Sequence, residues 1–341
     1  PKGGGARLEG ERNKDKMTVF IIRRLLQAAV VVFFMSLLVF TGVFLIGDPV
    51  EMLVADDADE YDREMVIKNL GLDQPFHIQY WRFVVNALQG NLGESFVFEE
   101  PALLLIVDRV PATLELAVFA LLIAVVLGIP LGMWAGLKPE SLSSKSIMTG
   151  SILGFSLPTF WVGIMMILLF AVTLGWLPST GRGPTEEFFG VEVSFLSAKG
   201  LSYLILPAVN LSLFKLSMVI RLSRAGTREV IHQDYIKFAR AKGVGRSRIV
   251  LVHVMKNIMI PVVTVLGLEF GGLVAFSVVT ETVFAWPGMG QLLIESIGFL
   301  DRPVIVAYLM IIVLLFVFIN LFVDILYSLL DPRVRLQDVK A

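Results

Sequence analysis

Five stretches of this chain stay apolar for longer than a soluble core element needs: Leu25–Gly47, Leu114–Trp134, Ile147–Trp176, Ile258–Phe284 and Val304–Leu330. A helix crosses a hydrocarbon core about 30 Å thick with roughly 20 apolar residues, and each stretch is long enough. They account for a composition that is 56% hydrophobic and 17% charged, where soluble domains sit near about 45–50% and about 25%. Burial in lipid explains that excess better than one very large soluble core. With no cysteine in the chain, disulfides, thiol catalysis and Cys-ligated zinc are excluded. The first apolar run is too long for a cleaved signal peptide and lacks a small-residue cleavage site, so it reads as a retained helix.

The fold class expected is an all-α integral membrane bundle of six spans, near 19–47, 111–137, 147–174, 201–222, 258–284 and 303–329. The fourth carries Pro207, Asn210, Lys215 and Arg221, yet a crossing there is needed for the loop charges to make sense. Lys and Arg are retained on the cytoplasmic side. Both termini inside place Arg23, Arg24, Lys138, Lys145, Arg333, Arg335 and Lys340 there, together with the basic 223–257 loop. The outer loop 48–110 begins acidic and continues into Phe76–Leu88, whose aromatic residues predict a short helix on the bundle or at the membrane interface. Trp134, Trp176 and Trp286 fall near span ends, where amphipathic rings favour the headgroup zone. Residues 1–16 are polar and glycine-rich and precede Met17, which reads as the native start; the stretch before it is an expression remnant or a disordered tail. Residues 17–341 are expected to form the transmembrane domain.

Charges inside spans are costly and face protein or water. Glu269 either faces a translocation path, attracting an amino group or other cation, or is hydrogen-bonded to another helix. Lys215 either lines the same path or snorkels along its own stem to the inner surface. Glu115 and Glu281 lie near the outer ends of their spans, where hydration keeps their cost small. Around the start of the segment 233–261, Ile231, Tyr235, Phe238 and Ala239 recur at helical spacing on one face, with Gly243 suited to stop the helix. Such an amphipathic helix either lies on anionic lipid or inserts its apolar face into a groove on a soluble partner. No G-x-x-x-x-G-K-[ST] occurs, so the chain has no Walker A loop for ATP phosphates. There is no HExxH, no catalytic constellation and no metal-ligand set, and His77, His232 and His253 read as surface or interface residues.

Ala239-Arg-Ala241-Lys-Gly243 resembles the EAA loop of ABC importer permeases, in the form used by the dipeptide/oligopeptide family. Lys237 stands where the general motif has glutamate and Lys256 where it has proline; both departures fit the dipeptide subfamily. Further matches follow in order: Gly47-Asp-Pro49, Leu70–Pro75, Gly90-Asn-Leu-Gly-Glu-Ser95, Arg109–Leu116, Ser156–Trp161 and Glu281–Gly290. The resemblance implies a type I ABC importer permease fold in a bacterial inner membrane. It also implies a second, homologous permease, two ATPase subunits and a periplasmic or lipid-anchored substrate-binding protein. ATP and Mg would be held by the ATPases, with no cofactor and no nucleic acid bound by this chain. Asp234, Tyr235, Phe238, Ala239, Arg240, Ala241, Lys242 and Gly243 would form the ATPase-coupling helix. Glu281, Trp286, Pro287 and Gly288 would stand at the outer gate, facing the binding protein. Cargo would be di- or oligopeptides or a similar small solute. The rival expectation is a gradient-driven secondary transporter or channel subunit, which predicts ionisable residues paired deep in several spans.

Overall fold

The computed structural model describes the backbone of residues 4–44, 64, 65, 67, 68 and 73–330, and side chains over 22–42, 64, 65, 67, 68 and 73–323. The Gly47-Asp-Pro49 and Leu70–Leu72 motif residues and the C-terminal basic residues Arg333, Arg335 and Lys340 lie outside them. The helices are α1 (Gly4–Phe44), α2 (Phe76–Leu88), α3 (Ala102–Leu137), α4 (Leu142–Ser156) and α5 (Thr159–Met166), the last continuing as a π-helical stretch, Ile167–Thr173. After a two-stranded hairpin, β1 (Glu186–Phe188) and β2 (Val191–Val193), come α6 (Ala198–Val230), α7 (Asp234–Ala241) and α8 (Arg246–Phe276). The chain then forms α9 (Val278–Val283), α10 (Met289–Gly298) and α11 (Arg302–Leu330).

Among the described residues, five helices are long and apolar enough to cross a membrane: Ile22–Gly42 of α1, then α3, α6, α8, and Arg302–Val323 of α11. The sixth crossing expected, 147–174, is not one straight helix. Leu142–Ser156 and Thr159–Thr173 meet at a 109° bend. Pro158 causes it: proline disfavours helical geometry in the residue before it, and Leu157 is extended with ψ 138°. Counting that pair as one span gives six. The fourth expected span exists and runs unbroken through Pro207.

The chain divides into two compact units. In the first (1–106 and 296–321), α2 packs on α1 through Phe40 against Phe76, Tyr80 and Phe83, while Ser36 and Tyr80 share a 2.8 Å hydrogen bond. The Gly90–Ser95 motif forms a turn fastened to buried Asp301. The Ser95 hydroxyl donates to one Asp301 oxygen and the Phe96 N–H to the other, at 3.3 Å. Gly93 takes φ +97°, which favours glycine, and a Cβ there would also crowd Pro303 at 3.1 Å.

In the second unit (107–295 and 322–341), α3 and α6 approach closely along Gly128, Gly132 and Gly136. One helical turn separates each glycine from the next, so together they make a flat strip against Val219, Ile220, Ser223 and Thr227 of α6. Small residues at this spacing let membrane helices come into backbone contact. Elsewhere in the unit, Ile129, Met133, Val219, Ile236, Ile249, Val254, Ile258 and Val262 belong to one buried cluster joining α3, α6, α7 and α8. Among the described residues the hairpin is the one two-stranded ladder, alongside an isolated bridge between Glu94 and Pro101. Its two-residue turn, Phe189-Gly190, holds φ +51° and +81°, the geometry that matches strand twist in tight hairpins.

Candidate functional site

Two regions bring the sequence-singled residues together: a knot of buried carboxylates joining α3, α9 and α10, and the exposed face of α7. In the knot, Glu281 is fully buried. One of its oxygens accepts from Thr113 Oγ1 (2.8 Å) and Ser277 Oγ (2.7 Å), and the other from the Gly290 N–H (2.7 Å) and Gln291 N–H (3.1 Å). A Cβ on Gly288 or Gly290 would overlap that carboxyl, so both glycines are there to let backbone approach it. Thr113 also accepts from the Met289 N–H at 2.9 Å. The Trp286 indole donates to Ala112 O at 2.9 Å, and the Gly181 N–H donates to Phe284 O at 2.8 Å. The motifs at Arg109–Leu116 and Glu281–Gly290 therefore close on each other.

Glu115, one helical turn from Ala112, anchors the outer loop. Arg182 donates to one oxygen through Nε (3.0 Å) and Nη2 (2.7 Å), and Ser194 N–H, Ser194 Oγ and Phe195 N–H donate to the other at 2.7, 2.8 and 3.1 Å. This carboxylate fixes both ends of the segment carrying the hairpin. Replacing Arg182 by alanine leaves Glu115 buried with three donors but no counter-charge. The expected loss is about 2 kcal/mol, read as a lowered thermal unfolding midpoint in detergent; an unchanged midpoint would mean that solvent already screens the pair.

Several expectations are corrected here. Glu115 and Glu281 are not hydrated at the outer surface; protein donors replace the water. Glu281, Trp286 and Gly288 are buried within the chain and so do not face a binding protein, leaving only Pro287 of that group part-exposed. Trp286 is sunk into the interior, not placed in the headgroup zone, because its N–H finds a carbonyl there. Lys215 does not snorkel: its ammonium is ion-paired with Glu269. The opposite charge two helices away satisfies it more directly than a stretched stem would. Thr113, Ser277, Arg182 and Ser194 were not singled out by sequence reasoning, although each is a hydroxyl or guanidinium capable of meeting a buried acid.

The helix α7 forms where expected, between extended Gln233 and Gly243 at φ +78°. The Gly243 N–H returns to Arg240 O at 2.9 Å and the Val244 N–H to Ala239 O at 3.1 Å, closing the last turn. Its faces differ from expectation. Ile236 is the residue that enters the core and Ala239 is half-buried beside it, whereas Tyr235 and Phe238 remain 44% and 61% exposed. Ile231 belongs to the end of α6 and not to this face. The Lys242 ammonium lies over the Phe238 ring, 4.5 Å from its centroid. A hydrogen bond from Lys237 to Asp234, 2.8 Å long, holds that exposed carboxyl below its usual range. α7 is thus held on one side by Ile236 and presents an aromatic pair rimmed by Asp234, Lys237, Arg240 and Lys242 on the other.

Family models agree with this arrangement. The description "Binding-protein-dependent transport system inner membrane component" matches residues 128–336, and its N-terminal companion matches residues 17–117. The chain belongs to this family of inner-membrane permeases. It is 40% identical over 337 residues to the di/tripeptide transport system permease protein DppB of Pseudomonas aeruginosa, covering 94% of this chain and 100% of that protein. It is 38% identical over 320 residues to the glutathione transport system permease protein GsiC of Escherichia coli K12, covering 94% and 99%. An inward-facing structure of the MetNI methionine ABC transporter shares the fold, with TM-score 0.52 and 19% identity over 67% of this chain and 96% of that one. The permease is therefore a multi-pass subunit of an ABC importer, and the gradient-driven rival does not hold. The buried knot ties two of its motifs together, and α7 carries an exposed aromatic face.

Proposed function

We propose that this permease forms half of the translocation path of a peptide importer, with α7 as the helix that couples it to ATP hydrolysis. The observation that carries the reading is the exposed Tyr235–Phe238 pair on a helix whose other face is anchored by Ile236. An aromatic pair in contact with water is poorly placed unless a partner covers it. An amphipathic helix seated in a groove is a common way for one protein to grip another. Both termini and the 223–257 loop lie in the cytoplasm, a second homologous permease completes the path, and two ATPases carrying ATP and Mg sit below. A periplasmic or lipid-anchored binding protein delivers cargo from above. The di/tripeptide and glutathione permeases it resembles support di- or tripeptides and related peptides as the solute class.

Movement of the ATPases on binding ATP reaches the spans through the anchor. Ile236 packs in the same cluster as Ile258 and Val262 of α8 and Val219 of α6, so displacing α7 displaces those helices. Interfaces of this kind shift between discrete packings and do not deform smoothly.

The test is co-purification. Phe238→Glu places a charge where the aromatic pair should be desolvated. It is expected to reduce recovery of the ATPases with the permease about tenfold or more, while the permease's own thermal unfolding is unchanged because Phe238 is exposed. Full ATPase recovery with Phe238→Glu and with Tyr235→Glu would show that α7 lies on lipid and that coupling runs elsewhere.

A further inference from the structure

The ion pair between Lys215 and Glu269 has a geometry that a structural brace does not need. Lys215 stands at the middle of α6, and Glu269 lies on the spanning helix α8. The Lys215 side chain is 9% exposed, but that of Glu269 is 38% exposed. Intramembrane charges face a bundle interior or a water-filled cavity, not lipid, so the face of α8 that carries Glu269 borders protein or water. Neither group has another hydrogen-bond partner among the described residues. The ammonium therefore has two unspent N–H donors, and the carboxylate has a free oxygen.

The surroundings leave room beside both charges. A Cβ placed on Gly272 would meet Glu269 and Lys215 only at 3.9 Å, so both groups border the space over that glycine. The Lys215 ammonium lies 5.2 Å from the Phe214 ring centroid, and Phe214 stacks on Phe155 at 4.7 Å. These two half-exposed rings form an apolar wall next to the pair, and the ring face helps hold the ammonium in place.

We propose that Lys215 and Glu269 form a charge-matched station for zwitterionic cargo inside the membrane. Glu269 takes the cargo's ammonium, Lys215 takes its carboxylate, and the Phe155–Phe214 wall meets the cargo's side chains. When the station is empty the two residues neutralise each other, which keeps either charge from standing alone in the spans. Cargo exchanges one internal ion pair for two external ones of the same sign pattern, so passage requires no net charge to enter the bilayer. The inference rests on the importer reading, because a zwitterion must be delivered to this depth.

The experiment uses the complete importer in nanodiscs, with retention of labelled dialanine measured without binding protein and compared with the uncharged N-acetyl dialanine amide. Wild type is expected to retain dialanine about tenfold better than the neutral analogue. The double variant Lys215→Met/Glu269→Leu removes both charges together, leaving no buried charge unpaired, and is expected to abolish that preference while the complete importer is still recovered intact. Glu269→Gln, a milder change, should lose retention of dialanine but keep that of N-acetyl dialanine, which carries the carboxylate alone. If both variants preserve the preference with stimulated hydrolysis intact, the pair is a packing brace and the proposal is overturned. If wild type shows no binding-protein-stimulated hydrolysis, the importer reading itself fails, and the station falls with it.

Discussion

Replacing Glu281 by leucine is expected to destabilise the permease by about 2–6 kcal/mol, enough to prevent recovery of a monodisperse protein from detergent. Four donors converge on this carboxylate. The two hydroxyls can re-aim; Ser277 already donates to Val274 O as well. The Gly290 and Gln291 N–H groups cannot turn, and each buried orphan costs about 1–3 kcal/mol. The loss extends beyond those bonds, since the same carboxyl holds α10 against α3 through Thr113 and Met289. Glu281→Gln keeps one acceptor oxygen but turns an NH2 toward two donors, so an intermediate loss is expected. Thermal unfolding of both variants checks the order, and a leucine variant as stable as wild type would show that α10 is held by packing alone.

The second large effect is expected at Gly132. A Cβ there would lie 2.5 Å from Ile220 O and 2.7 Å from the Ser223 Cβ. Backbone cannot be displaced locally as a side-chain tip can, so Gly132→Val must push α3 and α6 apart. Overpacking costs about 1–3 kcal/mol where side chains can yield, and more where they cannot; at least about 3 kcal/mol is expected here. The damage should propagate along the strip, because Gly128 and Gly136 make their own contacts with Val219 and Thr227. Gly150, with nothing within 4 Å of an added Cβ, is the matched control: valine there should be tolerated. Comparing the yield and unfolding midpoint of the two valine variants separates close packing from a general intolerance of valine in the spans.

What the sequence made legible follows from how local the governing physics is. The spans were readable because about 20 apolar residues in a row have few other uses. The stop of α7 was readable because Gly243 alone suits a left-handed residue there. The bend after Ser156 was hidden within a continuous apolar run, although Pro158 carried the signal. The hairpin was missed because its strands have three residues each and Phe189 takes a φ that its side chain disfavours. The buried knot was least legible. Hydropathy places a glutamate near a span end in water, whereas the partners that replace water for Glu281 include Thr113, 168 residues away. The motifs on both sides were visible, but the contact between them was not. The Lys215–Glu269 pair failed to emerge for the same reason: each charge was weighed against water and lipid before it was weighed against the other.

The most direct test of α7 as the coupling helix is uptake of labelled dialanine into proteoliposomes holding the permease, its homologous partner, the two ATPases and the binding protein. Accumulation is expected to require ATP, to survive dissipation of proton and sodium gradients, and to collapse with Phe238→Glu although the spans still assemble. Uptake that proceeds without the ATPases, or that is indifferent to a charge on the exposed face of α7, would contradict that role.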